Sequence, residues 1–308
     1  MSWDNKVLWT EGLFLQPHHF QQADRHTAAL VDGLARRVAP YRWGVSALEI
    51  DEEALKVGQF ALKTCAGLTQ DGTVFKVPTS EDHPPALVVP EGIKDCVVML
   101  SVPQRRQGAS EVDLTGDERS ASRLRAAEVE VVNTMGRGDA PVTLGVGKLR
   151  LQFALEVDDL SDRYAIPIAR IIEVRPDKAV LLDSGFVAGA LGVRAAPPLS
   201  AFVQEIQGLL NHRMAALAGR LVEAGAAKGA AEIQDFLLLT LVNRALPVIR
   251  HMNTIENVHP EDAFRAFIAL AGELSAFLAP DKAAPEFPPY KHDDLTATFA
   301  PVLRTLRQ

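Results

Sequence analysis

Two adjacent histidines, His18 and His19, are the first residues whose side chains could bind a metal ion. Adjacent residues point to different sides of a helix or a strand, whereas two ligands of one ion normally need a spacing such as i, i+4. No cysteine or carboxylate cluster near the pair completes a site. We therefore predict no metal site here and assign the histidines to structural hydrogen bonds.

Residues 145–149 (GVGKL) superficially resemble a phosphate-binding loop. A Walker loop requires glycine at the position of Val142 and serine or threonine at the position of Leu149, so we predict no nucleotide site. A nearby acidic turn lacks the longer alternating set of oxygen ligands and the terminal glutamate of a calcium loop. We predict that this turn is solvated; it contains Asp158, Asp159 and Asp162.

The chain shows no nucleophile elbow, and no Ser/His/Asp or Cys/His set can be assembled by spacing. Triads assemble in space rather than in sequence, so this argues against an enzyme without excluding one. The net charge of −7, from 32 basic and 39 acidic residues, argues against nucleic-acid binding, which relies on clustered lysine and arginine. We predict a non-catalytic protein without cofactors or a small-molecule substrate.

The two cysteines, Cys65 and Cys96, both lie in apolar, strand-like contexts. We interpret them as buried free thiols of a reducing cytoplasm, with a disulfide as the alternative. The N-terminus does not have the pattern of a signal peptide, and no apolar run approaches the ~20 residues of a membrane-spanning helix. We therefore expect a cytosolic protein that is not inserted into a membrane.

The N-terminal segment is unusually apolar for the start of a chain, which is normally polar and loosely ordered. Such residues must be buried either in their own domain or against a partner, and aromatic side chains are the types that anchor interfaces. Ordinary core remains the alternative. The candidate partner-binding residues are Leu8, Trp9, Leu13, Phe14, Leu15, His18, His19 and Phe20.

The first 190 residues are predicted to be rich in β-structure, after one leading helix at residues 17–38. Asp71-Gly72 is a hairpin-turn candidate because glycine supplies the positive φ that such a turn requires. Short, β-branched and often alternating segments with frequent turn signals indicate a sandwich or a pair of small sheets. The predicted strands are residues 43–50, 56–64, 73–77, 96–102, 129–133, 142–155 and 165–174. Residues 104–127 are highly charged and are predicted to form a long loop.

Apolar residues recur every three or four positions in the second domain, residues 191–308, which predicts a helical bundle. Pro260, followed by two acids, marks a helix start, and Pro301 is expected to kink or restart the last helix. The stripes are either intramolecular core or the seam of an oligomer. The candidate oligomerisation residues are Phe202, Ile206, Leu210, Met214, Leu295, Phe299, Val302 and Leu306.

Several ordered segments resemble TssK, a family of baseplate proteins of the bacterial type VI secretion system. Residues 7–21 resemble the opening of that family, with the pattern W-x-E-G-L-F-L-x-P-H-H-F-Q. Further similar segments are spread over nearly the whole chain: residues 41–44 (YRWG), 123–133, 166–171 (IPIARI), 210–213 (LNHR) and 287–295 (FPPYKHDDL).

The resemblance implies an α+β fold, with a β-sandwich-like shoulder at residues 1–190 and a helical neck at residues 191–308. It also implies a homotrimer that connects the baseplate subunits TssF and TssG to the inner-membrane complex, at the inner face of the inner membrane. The membrane-complex contact belongs to a C-terminal head domain, which we expect to be absent from this chain. The alternatives are a phage-tail receptor-binding-like protein and a β-sandwich hydrolase.

Overall fold

The computed structural model describes residues 3–117, 120–136, 140–223 and 229–308. Its first part combines two helices, α1 (Pro17–Val38) and α2 (Glu52–Lys56), with short strands. In chain order, the strands are β1 (Gly44–Ile50), β2 (Gln59–Phe60), β3 (Leu62–Leu68), β4 (Val74–Val77), β5 (Leu87–Val88), β6 (Lys94–Pro103), β7 (Val112–Asp113), β8 (Leu124–Val131), β9 (Val142–Leu149), β10 (Gln152–Leu155), β11 (Arg163–Val174) and β12 (Val180–Leu182).

The strands form small sheets in which most neighbours are antiparallel. The sheet orders are β1-β3-β4, β10-β6-β11-β12, β2-β5 and β7-β8-β9, with β7 and β8 the parallel pair. The turn between β3 and β4 contains Gly72 at φ +78°, which confirms the predicted hairpin turn at Asp71-Gly72. The mixed α+β class is confirmed, because helices follow these sheets in the second part of the chain.

Helices predominate among the described residues from 193 onward. A 3-10 turn (Val193–Ala195) leads into the helices α3 (Pro197–Glu223), α4 (Ala230–Thr254), α5 (Pro260–Leu278) and α6 (Leu295–Arg307). The α5 start agrees with the expectation, since Pro260 occupies the first turn and the His259 side chain accepts a hydrogen bond from the Glu261 amide. Helix α6 contains Pro301 within a single helical segment, so the predicted restart at this residue is wrong.

Three strand predictions need correction. Residues 56–64 do not form one strand, because Asp51 caps the short helix α2 through the amides of Glu53 and Ala54, and β2 and β3 follow separately. The predicted strand at residues 129–133 overlaps only the end of β8, which begins at Leu124. The predicted strand at residues 142–155 is two strands, β9 and β10, separated by Arg150 and Leu151.

The charged segment 104–127 is not simply a loop. It contains β7 and the start of β8, and residues 118 and 119 lie outside the described part. Arg123 is buried: its guanidinium donates to the Pro103 carbonyl at 2.5 Å and to Thr73 Oγ1 at 2.9 Å, and it pairs with the Asp71 carboxylate at 2.9 Å. A buried charge is tolerated when it is paired and hydrogen-bonded, which is why a charged segment becomes part of the fold.

One apolar core runs from the sheets into the helices. In the helical part, Phe202 of α3 meets Phe267 of α5 edge to face, with ring centroids 5.2 Å apart. Phe299 of α6 meets Phe264 at 5.6 Å in the same way. Edge-to-face contacts of this kind are favoured by the ring quadrupoles. The four helices therefore pack around the interior of this chain itself, and the boundary at residue 190 stays a prediction.

Candidate protein-interaction surfaces

The apolar residues of the N-terminal segment lie on the surface. Leu8 and Phe14 are 81% and 82% exposed, Trp9 and Leu15 are more than half exposed, and Leu13 is half-buried. The segment from Asn5 to Gln16 is irregular. Exposed aliphatic and aromatic side chains in such a cluster mark an interaction site more often than isolated ones do.

Polar bonds hold the start of this segment against α1. The Gln22 side-chain amide donates to the carbonyls of Trp3 and Asn5, at 2.9 and 2.7 Å, and the His26 ring lies 2.8 Å from the Asp4 carbonyl. The Arg25 guanidinium stacks over the Trp3 ring at 5.4 Å. Residues 3–5 are thus anchored, and residues 8–15 project as an exposed apolar segment between two attached ends.

The histidine pair helps to begin α1. The Gln16 amide donates to His19 Nδ1 at 3.1 Å, which satisfies a backbone donor at the helix start, and Pro17 occupies the first turn. The Trp9 ring packs beside His19 and Phe20, with centroids 6.3 and 6.4 Å away. His19 therefore has the structural role expected of it, while His18 is exposed.

Helix α1 attaches to the rest of the chain by its polar face. The carboxylate of Asp32 pairs with Arg36 at 2.7 Å and also with Arg42, and Arg36 donates to the Gln70 carbonyl at 2.9 Å. Of residues 17–38, all of which are described, none is buried. Helix α1 therefore lies on the surface, held there by hydrogen bonds and ion pairs.

The apolar face of α1 points outward. Its large side chains are all more than half exposed, although they recur at the spacing that normally indicates a buried face. We call the C-terminal part of this face the helix stripe; it consists of Leu30, Val31, Leu34 and Val38.

A second exposed apolar face lies on the hairpin of β8 and β9. The strands pair without a register shift from Leu124↔Leu149 to Val131↔Val142, so alternate residues share one side. We call that side the ribbon face; it consists of Ala127, Val129, Val131, Val142, Leu144 and Val146, all half-buried or exposed. The opposite side presents Glu128 and Glu130.

The candidate oligomerisation residues lie mainly in the interior of the chain. Met214 is half-buried, and the other seven are at most 9% exposed: Phe202, Ile206, Leu210, Leu295, Phe299, Val302 and Leu306. Such side chains contact the other helices of the same chain and have little surface to offer a second copy. The large apolar residues of α3 and α4 that do reach the surface are Leu209, Val222, Ile233, Phe236, Leu237 and Val248.

An aromatic cluster joins the segment after α1 to the helical part, and no role for it is predicted from the sequence. The Trp43 carbonyl lies 2.7 Å from His292 Nε2, and the Tyr290 hydroxyl lies 2.8 Å from His292 Nδ1. His259 stacks on His292 at 5.2 Å and bonds the Tyr41 carbonyl at 2.9 Å. Burial lowers the pKa of His292 to about 4 and raises the pKa of Tyr290. The cluster links the segment between α1 and β1 to the helical part of the chain.

Other expectations about chemistry concern thiols, metals and membranes. Cys65 and Cys96 are buried free thiols, and burial raises the pKa of Cys65 to about 12. Within the described ranges, no group of three histidine, cysteine or acidic side chains could hold a metal ion. In the same part of the chain, no helix combines the length and apolarity needed to cross a bilayer.

Residues 19–308 match the model of a protein family described as bacterial type VI secretion, VC_A0110, EvfL, ImpJ, VasE. The chain is also 42% identical, over 310 residues, to the type VI secretion system baseplate component TssK1 of Pseudomonas aeruginosa strain PAO1. That alignment spans all of this chain and 69% of the relative.

Solved structures give the same result. A crystal structure of TssK matches this chain with a TM-score of 0.92 and 31% identity. The match spans 99% of this chain and 69% of the TssK chain. A cryo-electron microscopy structure of a type VI secretion TssK-TssF-TssG baseplate subcomplex contains a chain that matches with a TM-score of 0.84. That match spans 98% of each chain at 23% identity, which establishes a shared fold.

Proposed function

Because the chain belongs to the bacterial type VI secretion family that includes VasE and ImpJ, we propose that it is a non-catalytic structural adaptor of a type VI secretion baseplate. The observation that carries this proposal is the match along the whole chain to a TssK baseplate component. The exposed apolar surfaces support a role in protein binding. The family match favours secretion over the phage-tail and hydrolase alternatives.

The proposed partners on the shoulder side are TssF and TssG, by analogy with the subcomplex in which a similar fold is found together with them. We assign this contact to Leu8, Trp9, Leu13, Phe14, Leu15, His18, His19 and Phe20. The first five lie on the projecting segment, whose ends are held by the bonds to Gln22 and by the start of α1. An anchored apolar segment loses less conformational freedom on binding than a free tail does.

The proposed oligomer is a homotrimer built through the helical neck. The neck residues assigned from the sequence are mostly internal, so we assign the contact between copies to the apolar residues of α3 and α4 that are exposed. Ile233, Phe236 and Leu237 lie on one face of α4, because residues three and four positions apart are neighbours on a helix, and Leu209 and Val222 lie on α3. In a closed ring of three copies, each copy would cover such a face of its neighbour. Several attached copies would also raise the avidity for a partner without strong single contacts.

We assign the link to the inner-membrane complex to the C-terminal head domain that the resemblance to TssK implies. The assembled protein would then lie in the cytoplasm, at the inner face of the inner membrane. The chain itself would supply the shoulder and the neck. These would hold the attachment to TssF and TssG at a fixed distance from the attachment to the inner-membrane complex.

The experiment that tests the proposed function is co-purification with TssF and TssG. Deletion of residues 2–15 should abolish it, but that deletion also removes the Trp3 and Asn5 carbonyls that anchor α1. The sharper variant keeps residues 2–7 and replaces the most exposed side chains of the segment: Leu8→Ser, Trp9→Ser, Phe14→Ser and Leu15→Ser. We expect this variant to lose TssF and TssG. Its mass in solution and its circular dichroism spectrum should stay those of the parent.

A matched control removes exposed apolar surface elsewhere on the shoulder, with Val57→Ser and Val157→Ser, which are 64% and 73% exposed. This control should retain both partners. Retention of TssF and TssG by the N-terminal variant would contradict the assignment of the contact to this segment. Failure of the parent chain to retain either partner would contradict the proposed adaptor function itself.

A further inference from the structure

The inward side of α1 lines a polar cavity instead of packing closely against the sheets. The cavity has a volume of about 360 Å³ and lies between the N-terminal segment, α1, the turn after β3, the segment after β6 and β11. Helix α1 contributes Arg25, Asp32 and Arg36, with Ala28 and Ala29 between them. The two alanines leave space that larger side chains would fill, and a space of this size can hold a small ligand.

Arg25 is held in place by groups that do not neutralise its charge. Its Nε and Nη2 atoms both donate to Gln22 Oε1, at 3.2 and 2.8 Å, and its guanidinium stacks over the Trp3 ring. The Gln22 amide is itself fixed by its bonds to the carbonyls of Trp3 and Asn5. Because a neutral amide orients the guanidinium, Arg25 keeps both its charge and the two donors of Nη1 for another acceptor.

Two further donors line the cavity from other elements and also have bonding capacity left. The Arg105 guanidinium, in the segment after β6, is 3.9 Å from its carboxylate partner Glu111, which is too long for a hydrogen bond. Tyr164 of β11 lines the cavity as well, and its hydroxyl makes no hydrogen bond within the described part of the chain. The cavity therefore presents donors from three separate elements.

The carboxylates of the cavity are mostly paired with arginines of this chain. Asp32 pairs with both Arg36 and Arg42, and Asp71 pairs with the buried Arg123. The charged groups that line the cavity or pair with its lining are Arg25, Arg36, Arg42, Arg105 and Arg123, against Asp4, Asp32, Asp71 and Glu111. Five guanidiniums against four carboxylates leave one positive charge, so the site favours an anion with several acceptor oxygens.

We propose that this cavity binds a phosphate group, either free phosphate or the phosphate of a small ester. A phosphate ester has three terminal oxygens, enough to accept from Arg25, Arg105 and Tyr164 together, whereas a carboxylate has two. The planar guanidinium also matches the geometry of phosphate oxygens. A bound phosphate would join α1 to the segment after β6. This inference does not depend on the proposed adaptor function, and the failure of either leaves the other in place.

Calorimetric titration of the 308-residue chain with inorganic phosphate and with glycerol phosphate, at pH 7 and constant ionic strength, tests the proposal. We expect saturable binding of one phosphate group per chain. Arg25→Gln and Arg105→Gln should each weaken it about tenfold or more, because each removes a hydrogen bond between charged groups. The matched control is Arg37→Gln, which removes the same charge from α1 outside the cavity. It should change the affinity less than about twofold, because exposed charges are screened by salt.

Denaturation midpoints in the same buffers keep the test valid if a variant is less stable than the parent. A ligand that binds only the folded chain stabilises it by RT ln(1 + [L]/Kd), so phosphate should raise the midpoint of the parent and of Arg37→Gln. The rise should be lost in Arg25→Gln and Arg105→Gln, whatever their midpoints without phosphate. Tyr164→Phe, which removes only the hydroxyl, should reduce the rise and retain the fold.

The two probes distinguish the sources of the phosphate group, since the natural ligand is an ester if glycerol phosphate binds more tightly and the free anion if it binds more weakly. Three outcomes would overturn the proposal. One is that neither probe binds or stabilises the parent chain. Another is an equal loss of affinity in all three arginine variants, which indicates attraction to a positive surface without a site. The third is tighter binding of succinate than of either phosphate probe, because the cavity would then be a carboxylate site.

Discussion

Helices α1 and α6 contain the same kind of pattern and differ in what covers it. Both carry aliphatic and aromatic residues every three or four positions. In α6 these side chains are core: Leu295, Phe299 and Val302 are almost completely buried by the other helices. In α1 the equivalent face is open, and polar bonds through Asp32 and Arg36 attach the helix. An amphipathic pattern therefore shows that a face needs cover, but not which chain supplies it.

The largest effect is expected in α6, where the cover is intramolecular. Phe299 is fully buried and packs against Phe264 and Phe267. Phe299→Ala leaves a cavity, so we expect the free energy of unfolding to fall by about 3–5 kcal/mol. Chemical denaturation followed by circular dichroism measures it. A loss below about 1 kcal/mol would mean that α6 is as loosely attached as α1.

The aromatic cluster around His292, which joins the segment after α1 to the helical part, should make the stability of the chain depend on pH. In the neutral form, His292 Nε2 can donate to the Trp43 carbonyl while Nδ1 accepts from the Tyr290 hydroxyl, so protonation removes an acceptor. Burial lowers its pKa from 6.5 to about 4, and the unfolded chain therefore binds more protons between these values. Stability should be complete above pH 6.5 and fall by about 3 kcal/mol as the pH decreases to 4.

Denaturation midpoints at pH 7, 6, 5 and 4.5 for the parent chain and for His292→Asn measure this dependence. The variant is expected to be less stable at pH 7 and to have a flatter profile over this range, because asparagine does not titrate. The groups around the ring are Tyr41, Tyr290, His259 and Asp293, and all of them remain in the variant. Parallel profiles for the two proteins would show that His292 is not the group responsible.

The projecting N-terminal segment should behave in the opposite way to α6. Trp9→Ala with Phe14→Ala removes exposed side chains, so the free energy of unfolding should change by less than about 0.5 kcal/mol. If the segment binds TssF and TssG, aromatic anchors of this kind carry about 2 kcal/mol, so affinity should fall roughly 30-fold. Titration of immobilised partner with each protein gives the ratio. Unchanged affinity would mean that Trp9 and Phe14 do not contribute to the binding of TssF and TssG.

Much of the fold follows from local patterns, and the assignment of surfaces does not. Helix α1 is predicted to the residue because Pro17 and the apolar spacing are local signals. The burial of Arg123 was missed because its partner, Asp71, is 52 residues away. The role of His292 depends on the Trp43 carbonyl, 249 residues away, and no local signal predicts it. The ribbon face was readable in principle from the alternation in residues 142–146, but only the pairing with β8 shows that both strands present apolar residues on one side.

The smallest effect is expected for Leu34→Ala on the helix stripe. Leu34 is 58% exposed, so its truncation should cost less than about 0.5 kcal/mol in dilute protein, where chains are separate. If a neighbouring copy covers the stripe, the cost should grow with protein concentration, because only assembled chains lose that contact. Denaturation at two concentrations 100-fold apart distinguishes the cases. A loss of 2 kcal/mol or more at both concentrations would show that the chain covers the stripe itself, and the contrast between α1 and α6 would then disappear.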